Sequence, residues 1–259
     1  MSIEKIKGLV IKTKNINEND KYLTVLCEEY GKLSFKAAGV RNYKSKHIAS
    51  AQPFAYSEFT IFKTPNFIRM NEAHIIENFY DLRLDLASLA LAAYLSDIAG
   101  IICVGESEDD GQILRLLLNT LHIISTKKMP NKTIKAVFEL RVLTKSGFMP
   151  NLDECEVCSK NSYDPSEAIF FDVIGGNLLC DDCIGKMNEA QSSGRKLVRI
   201  SDNVWRAMRY ITTVRDEKLF SFVLHDDIVK EFANVCEKYL LEQMSMNIDS
   251  LKYYKTYEK

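Results

Sequence analysis

Lys32-Leu33-Ser34-Phe35-Lys36-Ala37-Ala38 sets Leu33, Phe35 and Ala37 against Lys32, Ser34 and Lys36 at alternate positions. A β-strand imposes that period because successive side chains leave opposite faces, so the segment predicts a strand with one apolar and one basic side. Working outward, residues 6–12, 22–28, 54–62 and 67–76 are further short runs rich in β-branched and aromatic residues. Glu29-Tyr30-Gly31 and Thr64-Pro65-Asn66 read as hairpin turns between neighbouring runs. Five short strands in residues 1–80 predict a small closed barrel. The oligonucleotide-binding (OB) barrel leads, and an SH3-like barrel gives nearly the same pattern.

The same strand opens an electrostatic feature. From Tyr30 to Ser57 there is no Asp or Glu, while Lys32, Lys36, Arg41, Lys44 and Lys46 fall inside, interleaved with Tyr43 and His47. The net charge of −1 over 259 residues hides an asymmetry: residues 1–80 carry twelve Lys and Arg against eight Asp and Glu. A positive groove with aromatic platforms holds single strands without reading sequence, stacking contributing about 1–3 kcal/mol per base. Lys32, Lys36, Arg41, Tyr43, Lys44, Lys46 and His47 are therefore the candidate DNA-binding residues. A lone basic cluster is more simply a solvated loop; the length of the acid-free run favours phosphate contact.

Beyond residue 80 the apolar period lengthens. Residues 85–104, 109–126 and 131–146 repeat apolar positions at three and four residues, as helices require. Pro130 suits the start of the third, and Gly147 with Pro150 its end. Residues 86–104 are apolar enough to raise a membrane span, but Asp97 within and Asp85 just before favour a buried helix and no membrane contact. After the polar linker 192–196, Ser201 or Asp202 caps a helix carrying Trp205, Met208 and Ile211 on one face. Asp226-Asp227 precede a last long helix to about Met246, with Phe232, Cys236, Tyr239 and Leu240 buried. A tryptophan at helical spacing reads as core before it reads as a base-stacking platform.

Cys155-Glu156-Val157-Cys158 and Cys180-Asp181-Asp182-Cys183 are two CxxC pairs, separated by 159–179, in a chain that opens with no signal-peptide pattern. Such pairs point to a metal before disulfides, and four thiolates fill a tetrahedral zinc sphere with no position left for water. The expected role is structural; small zinc modules gain about 10–16 kcal/mol of apparent binding energy. Residues 169–173 and 177–179 read as two strands, and Gly175-Gly176 between them as a hairpin turn. That turn would return Cys180 and Cys183 to Cys155 and Cys158. Cys27, Cys103 and Cys236 lie in apolar surroundings and read as core thiols of a reducing cytoplasm.

Catalytic signals are few. His47, His74, His122 and His225 pair with no nucleophile or metal set, and no phosphate-binding loop ending in Gly-Lys-Ser/Thr occurs. The chain reads as a binding protein rather than an enzyme. One rival is a zinc-stabilised adaptor that binds only proteins. Another is a metal-dependent nuclease using Asp109, Asp110, Asp226 or Asp227, for which helix N-terminal capping is the simpler account.

Three blocks of residues stand in a telling order. Asn17-Glu18-Asn19-Asp20 runs into Tyr22-Leu23-Thr24-Val25-Leu26 and Tyr30-Gly31-Lys32. Gly39-Val40-Arg41 is followed by Lys44-Ser45-Lys46 and Ala51-Gln52-Pro53-Phe54. Phe138-Glu139-Leu140-Arg141, Gly147, Pro150 and Leu152 lead into the four cysteines, and Ile248-Asp249-Ser250-Leu251 closes the series. Over nearly the whole chain this resembles the bacterial RecO family of recombination mediators. Val40-Arg41-Asn42 is less basic than the arginine-rich loop of many relatives, some of which lack the cysteines.

The resemblance implies a non-enzymatic protein of recombinational repair, cytoplasmic and nucleoid-associated when active. It would bind single- and double-stranded DNA through the barrel, anneal complementary strands, and work with RecR. Together these would help RecA load onto DNA covered by single-strand-binding protein, whose acidic C-terminal tail the helical domain contacts. By charge and amphipathicity, Lys132, Lys135 and Arg141 are the expected receivers of that tail. The expected fold is α+β: an OB barrel in 1–80, a helical domain from 81–150 and 192–259, and a zinc module in 151–191.

Overall fold

The structure, a computed structural model, describes residues 1–105, 110–163 and 167–258. Strands β1 (Ser2–Asn15), β2 (Lys21–Cys27), β3 (Gly31–Ala37), β4 (Tyr56–Lys63) and β5 (Ile68–Glu77) close a barrel in the order β1-β2-β3-β5-β4. Every seam is antiparallel except β3 with β5, which is parallel. A meander of antiparallel hairpins has no such seam, so the connectivity is that of an OB barrel. β1 pairs with β4 along its first half and β2 along its second, its register shifting between Val10 and Lys12 where it bends.

The predicted alternation directs the barrel interior. Val10, Leu23, Val25, Phe35, Ala37, Phe59 and Ile61 are buried together, with Phe35 and Phe59 edge to face at 5.4 Å. Each such side chain contributes about 1.5–3 kcal/mol on burial. Gly8 sits where β1 crosses closest to β2: a Cβ there would stand 2.2 Å from a Val25 methyl.

The helices are α1 (Leu86–Ile102), α2 (Asp110–Thr126), α3 (Asn131–Lys145), α4 (Asp181–Lys186), α5 (Glu189–Ser192), α6 (Asp202–Thr213), α7 (Asp226–Met244) and α8 (Asp249–Tyr257). Asp85 caps α1 by accepting from the Ser88 amide at 3.0 Å, and Ser201 caps α6. Among the described residues no helix is long and apolar enough to cross a membrane. Asp97 lies on the exposed side of α1, whose other faces are largely buried.

Two compact units result: residues 1–128 with 248–259, and residues 129–247. The expected division was a barrel in 1–80, a helical domain in 81–150 and 192–259, and a cysteine module in 151–191. In the first unit α1 packs against α2 and the C-terminal α8, and α1 and α2 reach β1 and β2 of the barrel. Tyr94 of α1 and Tyr254 of α8 are fully buried and stacked at 6.4 Å. The sequence pattern places the last helix end near Met246 and does not reveal α8, nine residues with a weak apolar stripe.

In the second unit, β6 (Asn151–Cys155), β7 (Ile169–Asp172), β8 (Asn177–Cys180) and β9 (Leu197–Ile200) form one sheet in the order β6-β8-β7-β9. β9 follows the expected linker and went unforeseen. Through this sheet the cysteine segment packs on the helices. Phe171 meets Tyr239 of α7 edge to face at 5.1 Å, and Trp205 of α6 donates its indole N–H to the Leu152 carbonyl at 2.9 Å. Trp205 is thus core.

Candidate nucleic-acid interface and metal centre

The basic segment between β3 and β4 folds back on the barrel instead of hanging free. Asp20 accepts from the Gly39 amide at 2.9 Å and pairs with Lys36 at 2.8 Å. Lys36, then the Gly39 amide and Asn17, hold its carboxyl down at about 2. The Arg41 amide donates to the Asn19 carbonyl at 3.0 Å, and its guanidinium to the Asn17 carbonyl. The His47 ring nitrogen lies 3.2 Å from the Ala73 carbonyl, pinning the far end of the loop to β5. Tyr43, 82% exposed, stands on this frame with the Lys44 ammonium 5.5 Å from its ring centre. Lys46 also points outward, 3.6 Å from an exposed Glu72 carboxylate; such a pair is weak and readily exchanged for phosphate.

Lys32 departs from its expected place. Its ammonium donates to the Gly100 carbonyl in the last turn of α1, tying that helix to the barrel. The neighbouring Gly31 has φ +58°, and a Cβ there would clash with Asp110 of α2. This end of the barrel is committed to helix docking.

Strand register adds residues that sequence reasoning missed. Lys14 of β1 stands opposite Tyr22 of β2, Tyr22 opposite Lys36 of β3, and Lys36 opposite Arg69 of β5. One residue row away, Lys12 faces Thr24 and Thr24 faces Ser34. Lys12, Lys14, Tyr22, Ser34 and Arg69 are exposed or half-buried. The outer surface of β1, β2 and β3 is therefore a cationic, hydroxyl-bearing strip running toward the Tyr43–Lys46 loop. Alternation of Lys12 and Lys14 was the available signal; which strands lie side by side was not.

The cysteines converge as expected. The Sγ atoms of Cys155, Cys158, Cys180 and Cys183 all lie within 4.8 Å of one another, and Cys158 and Cys180 are 3.7 Å apart. Thiolates about 2.3 Å from one tetrahedral ion would be about 3.8 Å apart, so the donors fit. Parallel pairing of β6 with β8 brings Cys155 opposite Leu178, and the Ser159 amide closes the first knuckle onto the Cys155 carbonyl at 2.9 Å. Gly176 permits the returning turn: it has φ +69°, and a Cβ would stand 2.7 Å from the Tyr239 hydroxyl. Burial pushes the Cys155 thiol up, but amides of Cys158, Cys180 and Val157 outweigh it and bring it down to about 7. All seven cysteines are free thiols. Burial raises Cys27 to about 11 and Cys103 to about 12, as core thiols require.

The comparison with known families bears on both sites. Residues 1–79 match the family described as Recombination protein O N terminal, and residues 83–252 match Recombination protein O C terminal. The chain belongs to the RecO family. The DNA repair protein RecO of Acetivibrio thermocellus is 30% identical over 259 residues, covering 100% of this chain and 99% of the relative. That of Clostridium acetobutylicum is 27% identical over 240 residues, covering 93% and 92%. That of Alkaliphilus metalliredigens is 33% identical over 181 residues, covering 70% and 72%.

Within this RecO-family chain, two of the expected tail receivers are spent inside the fold. Lys135 is 2% exposed and lies 2.8 Å from both Glu139 and Glu237. Arg141 donates to the carbonyls of Ile211, Thr212 and Val214 and pairs with Asp216 at 2.7 Å. It caps the C-terminal end of α6. Neither can reach a partner carboxylate without breaking the core of its unit; Lys132, at the start of α3, is half-buried. Of the acids weighed for a nuclease, Asp110 is buried and accepts from the Gly105 amide, while Asp226 and Asp227 occupy the first turn of α7. Asp109 lies outside the described residues. Among the described residues, the cysteine set is the one group of three or more metal-ligating side chains brought together.

Proposed function

We propose that this chain is a non-enzymatic mediator of recombinational repair. It holds DNA on the outer face of β1–β3 and the Tyr43–Lys46 loop, and anneals complementary strands. Working with RecR, it helps RecA onto DNA coated by single-strand-binding protein. The cationic strip supports this most directly: Lys12, Lys14, Lys36, Arg41, Lys44 and Lys46 share one side of an OB barrel whose other end docks helices. Lysine and arginine there displace counterions from phosphate, which is the principal driving force for sequence-independent binding. The mechanism needs no bond made or broken. Bringing two polyanions together requires their charge to be neutralised, and a protein surface does so while leaving base edges free to pair.

Zinc is the metal the four thiolates suit. Cys155, Cys158, Cys180 and Cys183 would hold it, and it would cross-link β6 to β8 with a closed sulfur sphere that leaves no position for water. The test of the functional reading is strand annealing by the full-length protein and by a Lys44→Glu, Lys46→Glu variant. Annealing is expected to fall at least tenfold. For every phosphate that the variant no longer neutralises, the slope of log K against log salt should shrink by about 0.7 on single strands. Unchanged annealing and unchanged slope would remove the loop from the DNA site.

A further inference from the structure

The hairpin joining β4 to β5 carries an aromatic cluster that the cationic strip leaves unexplained. Phe67 at its tip is 51% exposed, and its ring lies 6.1 Å from that of Phe62 on β4. Phe62 is outward in phase, since its alternate neighbours Phe59 and Ile61 fill the barrel. The Arg69 guanidinium lies 5.0 Å from the centre of the Phe62 ring. Arg69 in turn stands opposite Lys36 across the parallel seam. One outward row thus runs Phe62, Arg69, Lys36, Tyr22, Lys14 around the barrel.

The tip is rigid. The Thr64 amide donates to the Phe67 carbonyl at 3.0 Å, the Thr64 hydroxyl donates to the same oxygen at 3.0 Å, and the Phe67 amide donates back to that hydroxyl at 3.1 Å. Pro65 fixes the turn between them. An exposed ring held on a closed turn loses little entropy when a flat partner covers it. Lys63 sits over the Tyr30 ring at 4.1 Å and offsets the Glu4 carboxylate, which accepts from Ser2 and Tyr30, so the cations facing a polyanion on this row are Arg69 and Lys36.

From this juxtaposition we infer that Phe67, backed by Phe62 and Arg69, is a stacking platform for an unpaired nucleobase. It makes the barrel prefer single strands over duplex. The inference rests on the proposed DNA-binding reading and assigns its strand preference. Duplex bases are stacked on one another and offer no free face, whereas phosphates are offered by both forms. The cations therefore grip either form and the phenyl ring grips only one. Annealing would then weaken the hold on its own product.

The test is equilibrium binding of a single-stranded oligonucleotide and of its duplex to the full-length protein, with 2-aminopurine in the single strand reporting stacking. Phe67→Ala should weaken single-strand binding about 5- to 150-fold and leave duplex binding within twofold. Phe67→Trp should retain affinity, whereas Phe67→Leu, equally apolar but without a ring, should behave as Ala. The 2-aminopurine quench should disappear in Ala and Leu and persist in Trp. Full single-strand affinity in Phe67→Ala alongside a defect in Lys44→Glu, Lys46→Glu overturns the platform and leaves the DNA reading intact. Equal losses on both DNA forms, or a Leu variant as good as Phe, also overturn it and point to a protein partner at the tip. No salt-dependent DNA binding by the parent would sink both.

Discussion

Removing the Lys135 charge tests the packing of residues 129–247 most sharply. Lys135 and Glu139 lie one turn apart on α3, Glu237 comes from α7, and Glu139 is 0% exposed. Burial pushes the lysine toward its neutral form, but both carboxylates outweigh it and hold its pKa above the usual value. A raised lysine pKa contributes stability that is complete below the unfolded value and is lost only as pH rises through the folded one. The whole contribution is therefore present at pH 7. Lys135→Met keeps most of the aliphatic stem and leaves two carboxylates facing each other in the core. Breaking one partner of a buried ionic set costs about 3–5 kcal/mol. With a urea m-value near 2 kcal/mol/M, the midpoint should fall by about 1.5–2.5 M.

Trp205 is the single tryptophan and lies in this unit against Tyr163 at 5.1 Å, so its fluorescence follows this unit in the intact chain. The orphaned carboxylate has a further signature. Its folded pKa should rise above the unfolded one, so the variant should regain stability as pH falls from 7 towards 5. Adding Glu139→Gln to the variant should recover part of the loss at pH 7. A Lys135→Met midpoint within about 0.5 M of the parent (about 1 kcal/mol at that slope), or a deficit that does not shrink at pH 5, would refute the reasoning.

Cys155→Ser should lower the metal content read by elemental analysis and bring the Trp205 urea transition to a lower midpoint, because the proposed metal cross-link of β6 to β8 is lost. Tyr254→Ala should destabilise the barrel-containing unit by about 3 kcal/mol, seen as faster amide exchange in α1, while the Trp205 transition stays in place. The Asp20 carboxyl, held at about 2 chiefly by Lys36, should titrate by NMR well below ordinary aspartates. A depressed carboxyl contributes above its unfolded pKa and loses that contribution as pH falls through the folded value. The Gly39 amide should accordingly lose exchange protection between about pH 4 and pH 2, and Asp20→Asn should abolish that pH dependence. Arg141→Lys should not restore what Arg141→Ala removes, since one ammonium cannot serve the carbonyls of Ile211, Thr212 and Val214 together with Asp216.

Local periodicity makes the barrel strands, α1 to α3, the start of α6 at Ser201 or Asp202 and the buried stripe of α7 legible in the chain itself. Period 2 and period 3.6 are properties of a few consecutive residues. The four-cysteine cluster is legible for a similar reason: each CxxC turn is local, and Gly175-Gly176 announces the hairpin that closes the gap. β9 and α8 are not, because four residues after a polar linker and nine near the chain end carry too short a pattern to outweigh their surroundings.

Charge is the least legible property. Sequence counts cations but does not say what each one meets, and ionic partners are chosen by three-dimensional neighbours. Lys135 and Arg141 look like surface lysine and arginine on an amphipathic helix, yet α3 is buried on nearly every side and draws its counter-charges from Glu237 and Asp216. Lys32 shares its strand face with Lys36, but a helix end captured one and Asp20 paired with the other. Alternation therefore determined that a barrel exists and that its outside is basic. Only the parallel β3–β5 seam decided that Arg69 and Phe62 stand beside Lys36 on that outside, because strand adjacency is set by closure of the whole sheet and by no segment alone.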